Sequence, residues 1–196
     1  MKRFPLYLRA LTILLPTLLA TIGCKKEQAA APPAPPAPAT PASQPAGPRT
    51  VKFKELTLTV PVDWTDKTED SGNQLYLFGP PEGEWPANLW VRIRNNPGNR
   101  SAGELVDDMS EQLARTREDF GGLNKQTSRH PAGLDMGRAS YKSKNTTRRI
   151  DLGQWFIAIV LPDTRWIEIH ANSDIDSWEK SQPVIEQILN SMQFKK

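Results

Sequence analysis

Apolar and polar side chains alternate along most of residues 51–171, and apolar residues fall at helical spacing in two places. Val51 to Val60 (VKFKELTLTV) reads as a strand, with Leu56, Leu58 and Val60 alternating against Thr57 and Thr59 until Pro61 ends it. Gln74 to Phe78 (QLYLF) and Asn88 to Arg94 (NLWVRIR) are short strands, bounded by the turn clusters Gly79-Pro80-Pro81 and Asn95-Asn96-Pro97-Gly98. These three are expected to form a meander. Ser101 to Phe120 reads as a helix: Ser101 and Glu104 make a capping box, Leu105, Met109, Leu113 and Phe120 give an apolar stripe, and Gly121-Gly122 supplies a stop.

A second β group follows. Leu123 to Arg129, Gly137 to Ser143 and Arg148 to Leu152 are weak strands, whereas Trp155 to Leu161 (WFIAIVL) is apolar on both alternating faces, as a central strand must be. Pro162-Asp163 turns the chain into Arg165 to Ala171 (RWIEIHA), and the pair reads as a hairpin. Ile185, Ile188, Leu189 and Met192 then fall at i, i+3, i+4 and i+7, with Ser181 as cap and Pro183 in the first turn. Strands, helix, strands, helix predict an α+β class, a mainly antiparallel β-sheet packed with helices.

The amino end departs from this pattern. Lys2, Arg3 and Arg9 precede the apolar run ALTILLPTLLA at residues 10–20, a charged region followed by a short hydrophobic one, as in a secretion signal. The run is too short for a membrane helix, which takes ~20 residues, and Pro16 interrupts it. Thr21-Ile22-Gly23-Cys24 then resembles the lipobox of bacterial lipoproteins, with the chain's one cysteine at the cleavage point. That resemblance implies removal of residues 1–23, a diacylglyceryl group on the Cys24 thiol and acylation of the new amino group. Such an anchor is secure, because stable membrane attachment takes two signals. Lys25 and Lys26 follow the cysteine with no aspartate to retain the protein at the inner membrane, which favours the outer one.

Residues 24–49 form the stem, whose EQAAAPPAPPAPATPASQPAGP stretch has almost no side chain able to build a core. It is expected to be disordered and extended, a spacer of up to roughly 60 Å at polyproline pitch. Residues 50–196 then make one domain without cysteine, so no disulfide supports it. Charge changes the picture little. The whole chain has 25 Lys and Arg against 22 Asp and Glu, but six of the basic residues and one acidic residue precede position 50. The domain is therefore slightly acidic, and the basic pI of about 9.0 is no argument for nucleic acid.

Leu58-Thr-Val-Pro61-Val-Asp-Trp64, a strand ending in proline with tryptophan three residues on, resembles the opening of PsbP-like and DcrB-like domains. The order of elements continues that resemblance to about residue 194, through the late hairpin and a terminal helix after Asn172-Ser173-Asp174. The resemblance implies an α/β sandwich and a non-enzymatic binding or assembly module of the cell envelope, with another envelope protein as partner. A secretion-system chaperone or adaptor is the alternative it leaves open.

Candidate chemistry is sparse. His130 and His170 are the only histidines, and a surface place is expected for them; Glu168 is the acid nearest His170, but no third ligand is evident, so no metal or other cofactor is expected. Nucleophile-elbow, phosphate-loop and zinc-protease patterns are absent, so no catalytic residue is assigned and a periplasmic enzyme or metal protein is the lesser alternative. Asp63, Asp66, Glu69 and Asp70 read as a solvated loop or a weak calcium site. The candidate binding surface comes from strand alternation. If Leu89, Val91 and Ile93 face a core, then Trp90, Arg92 and Arg94 face away, and by the same rule so do Trp166, Glu168 and His170. Tryptophan and arginine are enriched at binding hot spots. Either this face is a binding surface, or a helix covers it and both rings are core. Trp85, in the loop EGEWPAN, is either a second contact or a local anchor.

The lipobox makes a direct prediction. Mass spectrometry of the membrane fraction should find a mature chain that starts at a lipid-modified Cys24; an unmodified Cys24, or a different amino terminus, contradicts it.

Overall fold

The phase of the alternating pattern slips between Phe53 and Leu56, because Val51 and Phe53 are apolar at odd positions while Leu56, Leu58 and Val60 are apolar at even ones. In the computed structural model, which describes residues 47–68 and 72–195, the chain turns at that slip. β1 (Arg49–Phe53) and β2 (Leu56–Val60) form a hairpin with Lys54 at φ 52°, where a single strand was expected. The hairpin directs both apolar sets to one side. The signal segment, Cys24, the stem as far as residue 46, Glu69 and Asp70 lie outside the described residues, and Arg49, read as the end of the stem, opens β1.

β3 (Thr65–Asp66), β4 (Leu75–Phe78) and β5 (Asn88–Asn95) pair antiparallel in sequence order. α1 (Ala102–Thr116) begins at the expected capping box: Glu104 N–H donates to Ser101 Oγ at 3.3 Å, and Ser101 N–H donates to the Glu104 carboxylate at 2.8 Å. Then come β6 (Glu118–Arg129), β7 (Asp135–Asn145), β8 (Ile150–Val160), β9 (Arg165–Asp174), α2 (Ile175–Asn190) and β10 (Gln193–Phe194). The main sheet has seven antiparallel strands in the order β3-β4-β5-β9-β8-β7-β6, and β1, β2 and β10 make a separate three-stranded sheet. The expected meander is therefore divided between two sheets.

Both faces of the main sheet are packed. Leu89, Val91, Trp155, Ile157, Ile159, Ile167 and Ile169 meet α2 and the small sheet in the larger core. Phe156, Ala158 and Trp166 point the opposite way and join Leu105, Val106 and Leu113 of α1 in a second core. That accounts for the two-faced apolar run of β8, which sits between β9 and β7 as an interior strand.

Three boundaries differ from the periodicity reading. α1 ends at Thr116, and Gly121-Gly122 sits in a bulged stretch of β6, where the register against β7 shifts on both sides of Gly121 and Gly122 takes φ 64°. Phe120 keeps its apolar role by packing on Tyr141 at 5.1 Å. β8 runs unbroken from Ile150 to Val160, where two strands were expected. α2 starts at Ile175 with Asp174 as cap, so Ser181 and Pro183 lie inside it; Ser177 N–H donates to Asp174 Oδ1 at 2.8 Å and the Ser181 hydroxyl donates to the Ser177 carbonyl.

Two glycines set the distance between sheet and helices, one on each face. A Cβ at Gly153 would stand 2.1 Å from Cγ of Trp178 on α2, and one at Gly137 would stand 2.5 Å from the Ala102 carbonyl oxygen of α1. Neither neighbour can yield cheaply, since one is the root of a buried indole and the other is helix backbone. Gly153→Ala and Gly137→Ala should each lower stability by about 1–3 kcal/mol in urea unfolding, the usual cost of overpacking. Gly121→Ala, with nothing within 4 Å of the added methyl, should stay within about 0.5 kcal/mol of the parent. Equal effects at all three positions would contradict the close-approach account.

Candidate functional site

β5 and β9, more than seventy residues apart in sequence, are direct neighbours. Their register sets Trp90 opposite His170, Arg92 opposite Glu168 and Arg94 opposite Trp166. All six candidate residues therefore form one ladder of cross-strand pairs on the α1 side of the sheet, a spacing at which side chains interact directly.

Glu168 is its centre. The residue is only 2% exposed, yet Arg92 Nε and Nη2 donate to its Oε2 at 3.0 and 2.8 Å, and Arg94 Nη1 donates to the same oxygen at 3.0 Å. His170 Nε2 lies 3.3 Å from Oε1. Since an ionised carboxylate only accepts, the imidazole presents its Nε2–H there. Burial pushes the Glu168 carboxyl upward, but hydrogen bonds from His170 and Arg92 outweigh it and hold the value at about 2. For His170 burial prevails over the bond to Glu168, and the ring is driven below the ordinary imidazole value. The ladder thus holds a fixed carboxylate, a neutral histidine and two arginines.

Aromatic rings enclose it. Trp90 stacks on His170 with centroids 4.0 Å apart and planes 7° from parallel, and Phe156 meets the other side of that imidazole edge-on at 5.0 Å. The guanidinium of Arg92 lies 5.3 Å over Trp90, and that of Arg94 lies 5.9 Å over Trp166.

Of the two readings left open for this face, exposed surface or helix-covered core, each holds for part of it, and the exposed reading is corrected for Trp166, Glu168 and His170. α1 lies over β6, β7 and β8 and its edge covers Trp166, while Glu168 and His170 are sealed beneath the arginines and Trp90. Trp166, Glu168 and His170 are buried. Trp90 is half-buried, and the Arg92 and Arg94 side chains keep 33% and 45% of their exposure, so these three form the accessible part. Between them and the edge of α1 runs a groove of about 490 Å³, walled on the helix side by Met109, Gln112, Leu113, Thr116 and Arg117. A second hollow of about 380 Å³ adjoins it at Arg94 and Met109. Arg117 and the α1 edge were absent from the sequence-based site, because helix periodicity does not say over which strand a helix will lie.

The other candidates are structural. Trp85 Nε1–H donates to Asn172 Oδ1 at 2.7 Å, its backbone N–H donates to Asp174 Oδ2 at 3.3 Å, and Gly83 at φ 68° passes where a Cβ would strike that carboxylate. Trp85 is thus a loop anchor. His130 is also buried, not superficial: its Nε2 bonds the Leu189 carbonyl at 2.9 Å and its Nδ1 accepts from Ala132 N–H, which ties the β6–β7 turn to α2. Among the described residues, no three His, Cys, Asp or Glu side chains converge as a metal site would require, and no helix is long and apolar enough to cross a membrane.

No protein-family profile matches this chain, and no curated protein matches it in sequence. Solved structures do match in fold. Cyanobacterial PsbP (CyanoP) from Synechocystis sp. PCC 6803 is similar over 81% of this chain and 98% of its own, at TM-score 0.58 and 10% identity. LpqN, involved in cell envelope biogenesis of Mycobacterium tuberculosis, is similar over 76% of this chain and 91% of its own, at TM-score 0.58 and 12% identity. The Ran-binding protein Mog1p of Saccharomyces cerevisiae is similar over 76% and 95%, at TM-score 0.54 and 11% identity. The domain therefore has the α+β fold of PsbP and Mog1p. Identities this low speak to fold alone.

The ion cluster predicts a pH dependence. A carboxyl held at about 2, against 4.5 when unperturbed, contributes stability above pH 4.5 and loses it as pH falls toward 2. Glu168→Gln should cost about 2–3 kcal/mol at pH 7 in urea unfolding, and its difference from the parent should shrink between pH 4.5 and 2. Asp174, also held below the usual carboxylate range, is present in both chains and cancels. A difference that does not vary with pH would contradict ionisation of Glu168 as the source.

Proposed function

We propose that the protein is a lipid-anchored module of the cell envelope that binds another envelope protein through the groove between α1 and β5, without catalysing a reaction. The anchor reading rests on the signal-like amino end and the lone Cys24. A domain on an extended tether searches a shell near its own membrane, so its partner is met at raised local concentration and modest affinity suffices. The outer membrane, with the domain in the periplasm, fits the residues after Cys24.

The observation that carries the binding reading is the division of exposure within the ladder. Its acid is sealed while its arginines and Trp90 remain open. A hydrolytic or acid–base site needs a titratable group in reach of substrate. Here the carboxylate is fully occupied by donors, and the histidine is stacked under an indole. What remains accessible is a set of donors and an aromatic plane, the chemistry of a protein hot spot. LpqN, which is involved in cell envelope biogenesis, and Mog1p, a Ran-binding protein, lend support as folds of this kind with envelope or protein-binding roles.

Trp166 is unsuitable as a probe, since truncating a buried tryptophan costs about 3–5 kcal/mol of folding energy. Trp90 and the exposed Gln112 serve instead. A photo-crosslinking side chain at Gln112 should trap one envelope protein in intact cells, the same group at Lys180 on α2 should not, and Trp90→Ala should reduce the Gln112 product while circular dichroism stays native. Equal trapping from both positions, or undiminished trapping with Trp90→Ala, contradicts the proposal.

A further inference from the structure

Resting on the binding reading above, we infer that the groove takes an extended acidic segment of its partner, with carboxylates on alternate residues set against Arg92, Arg94 and Arg117. Charge is the first ground. The groove lining carries these three arginines and a single carboxylate, Glu168. The nearby acids of α1 are already satisfied, Asp108 by Arg100 and Glu111 by Arg115. The carboxyl end of α1 offsets roughly half a charge. The groove stays cationic on a domain whose acidic residues outnumber its basic ones.

Donor geometry is the second ground. Arg92 gives Nε and Nη2 to Glu168 and Arg94 gives Nη1, which leaves Nη1 of Arg92 and Nε and Nη2 of Arg94 to meet a ligand. Guanidinium forks suit carboxylates bidentately. Glu168 thus acts as an internal anion that takes the Nε–Nη2 fork of Arg92 and holds Arg94 by Nη1 alone, which leaves the Nε–Nη2 fork of Arg94 free for a ligand.

Spacing is the third. Arg92 and Arg94 are two apart on one strand face, so their stems leave the sheet roughly 7 Å apart. Side chains at alternate positions of an extended ligand have that same repeat. The plane of Trp90 on one side and Met109 on the other line the floor and wall where the ligand's stems would lie.

A flat anionic membrane fits less well. The arginines lie in a concavity beside α1, and the excess of acidic residues on the domain opposes an anionic bilayer.

The full-length protein in neutral detergent is titrated against a fluorescein-labelled eight-residue peptide alternating glutamate and threonine, and against its glutamine counterpart, by fluorescence anisotropy. The glutamate peptide should bind at least tenfold more tightly, and the preference should weaken with salt. Arg117→Glu, at an exposed side chain that acts on His170 through its charge and makes no hydrogen bond to the cluster, should weaken the glutamate peptide about tenfold while circular dichroism stays native. Equal binding of both peptides, no binding of either, or no effect of Arg117→Glu overturns the inference. So does displacement by glycerol phosphate as effective as by the unlabelled glutamate peptide, which would point to lipid headgroups. Any of these results, with Gln112 trapping intact, removes the acidic ligand and leaves the partner-binding proposal standing; loss of Gln112 trapping alone does the reverse.

Discussion

A carboxylate taken out of water must be paired, and Glu168 is the point at which that requirement organises this domain. Leaving it buried and unpaired would cost several kcal/mol. Arg92 meets it from the facing strand with two bonds and Arg94 adds a third, so the β5–β9 register is specified by charge as well as by the apolar residues on the opposite face. A slip of one residue would turn Leu89, Val91 and Ile93 out of the larger core and set them against the acid. Satisfying Glu168 also decides what stays exposed. The arginines are drawn along the sheet toward it, and α1 settles over β6 to β8, leaving a groove beside them.

A second buried acid does comparable work at the far end of β9. Asp174 caps α2 through Ser177 and receives the Trp85 backbone, while Asn172 accepts from both Trp85 Nε1 and Asn88 Nδ2. Strand end, helix start and the 79–87 loop are thereby joined, and burial of the Asp174 carboxyl is more than offset by these donors. Around these polar points the packing is tight enough that Gly83 beside the Asp174 carboxylate, Gly137 under α1 and Gly153 under Trp178 have no room for a side chain.

Much of the fold is legible in the residues. The two helices, the late hairpin, the interior place of WFIAIVL and the capping box all follow from period and local chemistry. The β1–β2 turn was legible too, in the parity change between Phe53 and Leu56, but a run with only two residues between strands reads as continuous. Gly121, Gly122 and Gly153 misled because glycine reads as a stop, whereas here it serves a bulge and a close approach. The start of α2 was obscured by Pro183, which favours a first-turn reading although Trp178 already packs a turn earlier. For the site, alternation correctly put the six residues on one face of their strands. It did not say that the strands are neighbours, nor that α1 covers Trp166 but not Trp90; both are tertiary facts with no local signature.

The account depends on an ionised Glu168 that is sealed from solvent and holds two arginines at the mouth of the groove. The most direct measurement is the carboxyl carbon shift of Glu168, followed by NMR from pH 7 to pH 2 and assigned by its loss in Glu168→Gln. The account predicts no movement through the ordinary carboxylate range and a midpoint at about 2. A midpoint at or above the unperturbed 4.5 would contradict it, because the arginines would then not be held by a charge at all.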